Sequence, residues 1–306
     1  LAILIGIAIA LVSVVGSFAF MGGHVPVIWQ PAEYFVIVGS AVGIFIVATP
    51  FGIIRDTGKA LVEVSISSVP KRRDYLDLLG LLYALMRELR NKGRGDVEKH
   101  IEDPASSALF QRYPKAADNE ELTNFICDYF RLIIMGNANT HEIEALMDEE
   151  IETMRHDKLK PHHALVMVGD ALPALGIIAA VLGVIKAMGA LDQSPQLLGG
   201  LIGAALVGTF AGIFLSYGLV SPIAHKIKET RNRRMRLFTI VKQSLLAFMN
   251  GALPQIAIEH GRKTIIAIER PSIDDVEQET ITGVATVGNS NTVPGAKDPV
   301  PLQGAA

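Results

Sequence analysis

Apolar and polar positions divide this chain into alternating blocks. Residues 1–21 are apolar almost throughout, and a second apolar run covers roughly residues 34–51. A third and fourth run, 166–189 and 198–222, are joined by a short polar turn. Each is close to or above the roughly 20 residues that cross a bilayer core of about 30 Å as a helix. Within the fourth run Gly200, Ala204, Gly208, Gly212 and Ser216 recur every fourth position. They therefore share one helix face. Gly176 with Ala180, and Ala179 with Gly183 and Ala187, give the third run small faces too. Small faces let helix backbones approach closely in lipid, where no hydrophobic effect drives association. Gly and Ala are common in membrane helices anyway, so the sustained repeat is what carries the expectation of helix packing.

Between the two apolar pairs lie 115 residues with 16 basic and 20 acidic side chains. Their apolar positions follow a helical period. Asp74 to Gly93 puts Leu78, Leu81, Leu82, Leu85 and Leu89 on one face and ends at a glycine, as a helix cap does. A short helix is expected around Val97–Glu102, stopping before Pro104. Asp118-Asn-Glu-Glu121 has capping-box form ahead of Leu122, Phe125, Ile126, Tyr129 and Ile133. Another helix starts near Asn139 and runs through Ile143, Met147, Ile151 and Met154. Sustained strand alternation is absent. After Pro222 a basic segment, HKIKETRNRRMR, leads a helical continuation to about Ile268, and from Ile281 onward the composition is that of a disordered tail. The fold class is therefore all-α: four transmembrane helices with a helical cytoplasmic domain. The expected divisions are 1–51, 52–165, 166–222, 223–280 and 281–306.

Charge sets the topology. The turns 22–33 and 190–198 hold no Lys or Arg, while the long loop and C-terminal region hold 27 of the 28, the other being Lys186. The positive-inside rule then puts both termini and the large loop in the cytoplasm. Residues 1–21 lack the charged start of a cleaved signal peptide and read as a retained span. Trp29 and Tyr34 suit a membrane interface. One cysteine, Cys127, excludes an internal disulfide and suits a reducing compartment. A net charge of −3 offers no sign of a nucleic-acid partner.

Chemistry is sparse. His141-Glu142 lacks the second histidine of a metalloprotease helix, and His162-His163 lacks a metal-binding partner at suitable spacing. No phosphate-cradling loop is present, and no catalytic residue, metal site or cofactor is expected. Charged groups in the apolar runs, namely Glu33, Asp170 and Lys186, all sit near span ends. Thr209 is the polar group at the centre of the fourth span; it can line a path or bond its own helix backbone. Asp170 can snorkel, cap the third span, or act as an acid at the mouth of an ion path. Pro173 and Pro222 remove backbone hydrogen bonds and permit bends, although proline near a helix start is tolerated. An ion path built from this chain would need its carboxylate from a partner.

Five long segments, WQPAE (29–33), EIEALMDEEIE (142–152), VGDALPALGIIAAVLGV (168–184), VGTFAGIFLSYGLVSP (207–222) and EHGRKTIIAIERPS (259–272), then carry a family likeness. In these the chain resembles the MotA/PomA family of flagellar motor stator proteins, and more distantly the ExbB/TolQ type. The resemblance implies a multi-pass protein of the bacterial inner membrane, about five copies around two of MotB. MotB supplies the ion-binding aspartate and a peptidoglycan anchor. It also implies rotor contact with FliG through Arg90 and Glu98, in a segment that also carries Lys92, Arg94 and Lys99. Without the resemblance those two charges read as an exposed pair at a helix end. Pro173 and Pro222, with Asp170 beside them, match the family's conformational-coupling region, and Ala180 its ion path. Alanine there, where sodium-driven relatives carry threonine, implies proton coupling. An ExbB/TolQ-like energiser and a passive membrane scaffold are the other readings; four spans with both ends inside argue against the former.

Overall fold

The structure is a computed structural model that describes residues 2–66, 69–136 and 139–280. Among the described residues every regular element is helical. The expected tail, 281–306, lies outside them. Twelve helices are labelled in order: α1 Ala2–Phe20, α2 Pro31–Ala48, α3 Phe51–Ile66, α4 Arg72–Asn91, α5 Arg94–Glu102 and α6 Ala108–Arg112, then α7 Pro114–Ala117, α8 Glu120–Met135, α9 Thr140–Met188, α10 Pro195–Phe214, α11 Ser221–Met249 and α12 Pro254–Lys263. A 3-10 turn, Val25–Ile28, precedes α2, and a π-helical turn, Leu215–Val220, joins α10 to α11. Residues 273–280 form a last helical stretch.

The chain forms two compact units. One comprises residues 1–69 with Glu149–Met235, the other Pro70–Asp148 with the residues from Arg236 onward. Helices α9 and α11 contribute to both. In the first unit lie four helices long and apolar enough to cross a membrane. Their interior cluster joins Ile37 and Ala41 of α2 with Leu172, Leu175 and Ala179 of α9 and Ala211 of α10. A second cluster joins Ala60 and Val64 of α3 to Ile227 of α11, with Ile3, Leu165 and Ile223 against it. Outward faces keep large apolar residues such as Leu4, Val12, Phe35, Val47, Ile177 and Leu206 exposed. A surface of this kind is stable against acyl chains or other membrane helices, not against water.

The second unit has an ordinary globular core. Tyr75, Leu78, Leu79, Leu81, Leu82, Leu85 and Met86 bury one broad face of α4, as the leucine spacing predicts. Phe125 of α8 meets Phe238 of α11 edge-on at 5.2 Å. Asn119, one residue past the expected cap, accepts the Leu122 N–H at 3.3 Å, and Gly136, with φ +76°, closes α8.

Three expectations change. The helix expected from Asn139 to Met154 and the span expected from residue 166 are one uninterrupted helix, α9, with Pro161 and Pro173 inside it. Pro222 does not end a helix; it opens α11 immediately after the π-helical turn. Helix α3 has no counterpart among the expected helices. Its first half, Phe51–Lys59, supplies Asp56, and the charges that identify the region as polar also hide its apolar stripe.

Candidate ion path and coupling site

The small residues of α9 and α10 meet. A Cβ on Gly212 would stand 2.6 Å from the Leu172 carbonyl oxygen and 2.8 Å from Gly176 Cα. One on Gly176 would stand 2.9 Å from the Gly208 carbonyl, and one on Gly183 would reach Ala205 Cβ at 2.7 Å. The approaches at Gly212 and Gly176 are backbone-to-backbone, and all three positions are too close to admit a side chain without a shift. The stripe is used unevenly, however. Gly200 has open space around it, so the close crossing begins lower, at Ala205 and Gly208.

Ser216, the last member of the stripe, does more than pack. Within α9 the Gly169 carbonyl would accept from the residue four further on, which is Pro173 and has no N–H. The Ser216 hydroxyl, buried, donates to that carbonyl at 2.7 Å. Pro222 creates the same deficit at Gly218 on the other strand of the hairpin. There the chain widens instead, and the Ser221 N–H donates to the Ser216 carbonyl five residues back, giving the π-helical turn. Both prolines are thus accommodated at one level, by a side chain in one case and by a backbone adjustment in the other. Asp170, next to Gly169, is exposed.

Thr209 is half-buried, one residue from the crossing, and its hydroxyl has no hydrogen-bond partner among the described residues. Thr57 of α3 shows the alternative, donating to the Ile53 carbonyl of its own helix at 2.7 Å. Thr209 therefore keeps its donor and acceptor available. Ala180 faces the neighbouring Gly208: its backbone nitrogen would be 3.3 Å from a Cβ there. The same built Cβ would be 3.3 Å from Glu33 Oε2. Glu33 sits in the first turn of α2, near a span end as expected from sequence, and its carboxylate also reaches the crossing. The 3-10 turn makes this possible by packing its Val27 toward Gly203 before α2 begins.

Sequence reasoning missed a polar clamp as well. Arg231 of α11, 5% exposed, donates to both Asp56 oxygens at 2.7 and 2.8 Å and to the Lys158 carbonyl at 2.8 Å. Glu63 lies 3.5 Å from its Nε and 3.2 Å from Arg234. Helices α3, α9 and α11 are pinned together by it. Arg231 stood in the sequence as one of six cations in twelve residues, with nothing to mark it as buried. His162 is similarly engaged: its Nδ1 meets the Ala224 carbonyl at 2.9 Å, so that nitrogen is the donor.

In the second unit Arg90 ends α4 and Glu98 lies in α5; both are exposed. Several of their neighbours, though not Arg94, pair among themselves. Glu88 holds Lys92 at 2.5 Å and His100 at 3.0 Å, and Asp96 holds Lys99 at 3.1 Å. Neither Arg90 nor Glu98 has an ion-pair partner among the described residues.

Four membrane-type helices with a small-residue crossing define a multi-pass, all-α membrane protein, and comparison with known proteins gives its family. Residues 4–93 match the motility protein A N-terminal family, and residues 117–239 the MotA/TolQ/ExbB proton channel family. The chain is 43% identical to motility protein A of Salmonella typhimurium, over 94% of this chain and 97% of that one. It is 44% identical to motility protein A of Escherichia coli, over 90% and 94% respectively. Two solved structures share the fold. A Campylobacter jejuni MotAB structure superposes with TM-score 0.72 at 19% identity, over 89% of this chain and 98% of that chain. The flagellar MotAB stator complex of Bacillus subtilis gives 0.64 at 23% identity, over 90% and 98%. The chain belongs to the motility protein A family, the flagellar stator subunits of the bacterial inner membrane.

Proposed function

We propose that about five copies of this chain surround two copies of a MotB partner and conduct protons, and that the flow turns the ring of copies around its anchored core. The observation that carries this reading is the uncommitted Thr209 hydroxyl beside the Gly208 crossing. A hydroxyl there relays a proton between waters, while the partner's aspartate loads and unloads it. The crossing supplies the moving part. Pro173 and Pro222 leave two carbonyls without their regular donors, and the Ser216 bond and the π-helical turn are arrangements that can be exchanged for others. Asp170, exposed beside Gly169, is the charge nearest this coupling point at the cytoplasmic mouth. Arg90 and Glu98, left unpaired, are the contacts to the rotor protein FliG. Both termini are cytoplasmic in this reading, and the chain acts without catalytic chemistry of its own.

Proton rather than sodium follows from Ala180. Sodium exchanges hydration water for several oxygen ligands, and a methyl group contributes none. The test is swimming speed in sodium-free medium with and without a protonophore. Full speed that collapses with the protonophore supports proton coupling; motility that requires sodium and survives the protonophore overturns it. Thr209→Val should weaken conduction while Thr209→Ser stays near wild type.

A further inference from the structure

The group at the crossing that the proposed function does not use is Glu33. It lies in the first turn of α2, half-buried, yet makes no cap: α2 has no side-chain hydrogen bond at its N-terminus. Nor has its carboxylate a hydrogen bond or ion pair among the described residues. It points into the gap left by Gly208, in company with Ala179 Cβ and the Ala180 nitrogen. Gly208 stands thirteen residues inside α10, which begins at Pro195. At about 1.5 Å per residue that is about 20 Å from the start of the helix. An unpartnered carboxylate held against a crossing of apolar helices is costly, and membrane proteins keep one where it binds an ion.

We propose that Glu33 is a proton-binding site of this chain, placed on the outer approach to the path through Ala180 and Thr209. Its carboxylate takes a proton from a hydronium entering beside the 190–194 turn, leaving water. The carboxylic acid then passes the proton to a water next to the Thr209 hydroxyl, which hands it inward, and the carboxylate is regenerated. Gly208 borders the site: a Cβ there would stand 3.3 Å from the Glu33 carboxylate and press it aside by a few tenths of an ångström. The inference rests on the proton-path reading above and deepens it, giving this chain an acid in series with that of the partner.

The test uses the full complex with its MotB partner, reconstituted in liposomes under a proton gradient. Wild type should conduct, which separates this test from the proposed function itself. Glu33→Gln keeps the shape but holds no exchangeable proton; it should conduct about tenfold less and lose the dependence of rate on external pH. Glu33→Asp should restore much of both. Wild-type rate and pH profile in Glu33→Gln would overturn the proposal. Should Glu33→Gln fail to assemble, the wild-type complex still decides. A hydrophobic carbodiimide, which modifies protonated intramembrane carboxyls, should label Glu33 as mapped by peptide mass spectrometry, and Glu33 left unlabelled would overturn the proposal.

Discussion

Ser216 donates its hydroxyl to the one carbonyl, that of Gly169, which Pro173 deprives of its helical partner. The bond ties the kink-prone part of α9 to the end of α10 at the level of the π-helical turn. Ser216→Ala should therefore leave a buried carbonyl unpaired and cost about 0.6–1.5 kcal/mol. Detergent-extracted stator complex should melt at a lower temperature, and swimming should slow most under high load, where coupling is tested hardest. Unchanged melting would mean that water replaces the hydroxyl and that the serine matters only for packing.

Gly212 and Gly200 belong to the same four-residue repeat but face different surroundings, which gives a paired test. A methyl at Gly212 meets the Leu172 carbonyl and Gly176 Cα, both backbone atoms that cannot step aside singly. Gly212→Ala should cost about 1–3 kcal/mol and reduce the amount of assembled complex. Gly200→Ala places its methyl in open space within the chain and should be tolerated. Equal yields of complex from the two variants would show that the close crossing is not a feature of the assembled protein.

The sequence made this crossing half legible. Periodicity showed the stripe, because i, i+4 spacing on a helix is a property of one element. What it could not show is where along the stripe the partner helix sits, since that depends on the lengths and turns of both. Glu33 illustrates the limit. Its position near the start of an apolar run reads as a membrane edge, but the 3-10 turn carries the start of α2 along α10 to Gly208. Arg231 illustrates another. Six cations in twelve residues look like a solvated face, and only the arrival of Asp56 from an element 175 residues away distinguishes the buried one. The α4 leucines, by contrast, needed no partner to be identified, because their period repeats through the 20 residues of one amphipathic helix.

Asp56 and Arg231 set a pH dependence in the first unit. The Arg231 hydrogen bonds hold the Asp56 carboxyl below its ordinary value of 3.8. A carboxylate whose folded value is depressed stabilises the fold above its unfolded value and loses that contribution as pH falls through the folded one. Stability from this pair should be complete above about pH 4 and decline below it. Asp56→Asn takes the bidentate carboxylate from a buried guanidinium that keeps Glu63 and the Lys158 carbonyl, and should cost about 2–3 kcal/mol at neutral pH, less than the ~3–5 of a fully buried pair because Asp56 is 37% exposed. Thermal melts of the complex at pH 7 and pH 3.5 check both statements: the gap between variant and wild type should shrink in acid. A gap that is constant with pH would deny the ion pair its role.

Cys127 bears on how topology can be measured. It is the chain's single cysteine, buried in α8, and burial pushes its thiol up to about 11. Thiolate is the reactive form, so Cys127 should stay unmodified by maleimides at pH 7.5 until the protein is denatured. Introduced cysteines then report alone. His24 and Gln193, both exposed, should label from outside intact cells with an impermeant reagent, and exposed Lys115 should not. His24 is a better site than Gly23, where a side chain would strike the Phe18 ring. Labelling at position 115 in intact cells would reverse the orientation proposed here.

Arg90 and Glu98, like Arg94, lack partners among the described residues, in a segment where Glu88, Lys92, Asp96, Lys99 and His100 are engaged. Intramolecular pairs already satisfied are poor at recognising another surface, because a new contact must first break the old one. Uncommitted charges attract a complementary surface at no such cost. Each exposed contact is worth only about 0–1 kcal/mol, which suits a motor element that must engage and release at every step. Single reversals, Arg90→Glu or Glu98→Lys, should slow swimming while leaving the amount of membrane-inserted complex unchanged. Reversing a complementary charge on the rotor should restore part of the speed. Reversing Lys99, already paired with Asp96, should do less, and this comparison separates rotor contact from general surface charge. Raised intracellular salt should weaken wild type toward the variants, since surface charges are screened over about 8–10 Å at physiological ionic strength. Equal effects at positions 90 and 99, or full motility in the double reversal of Arg90 and Glu98, would leave them as ordinary solvated side chains.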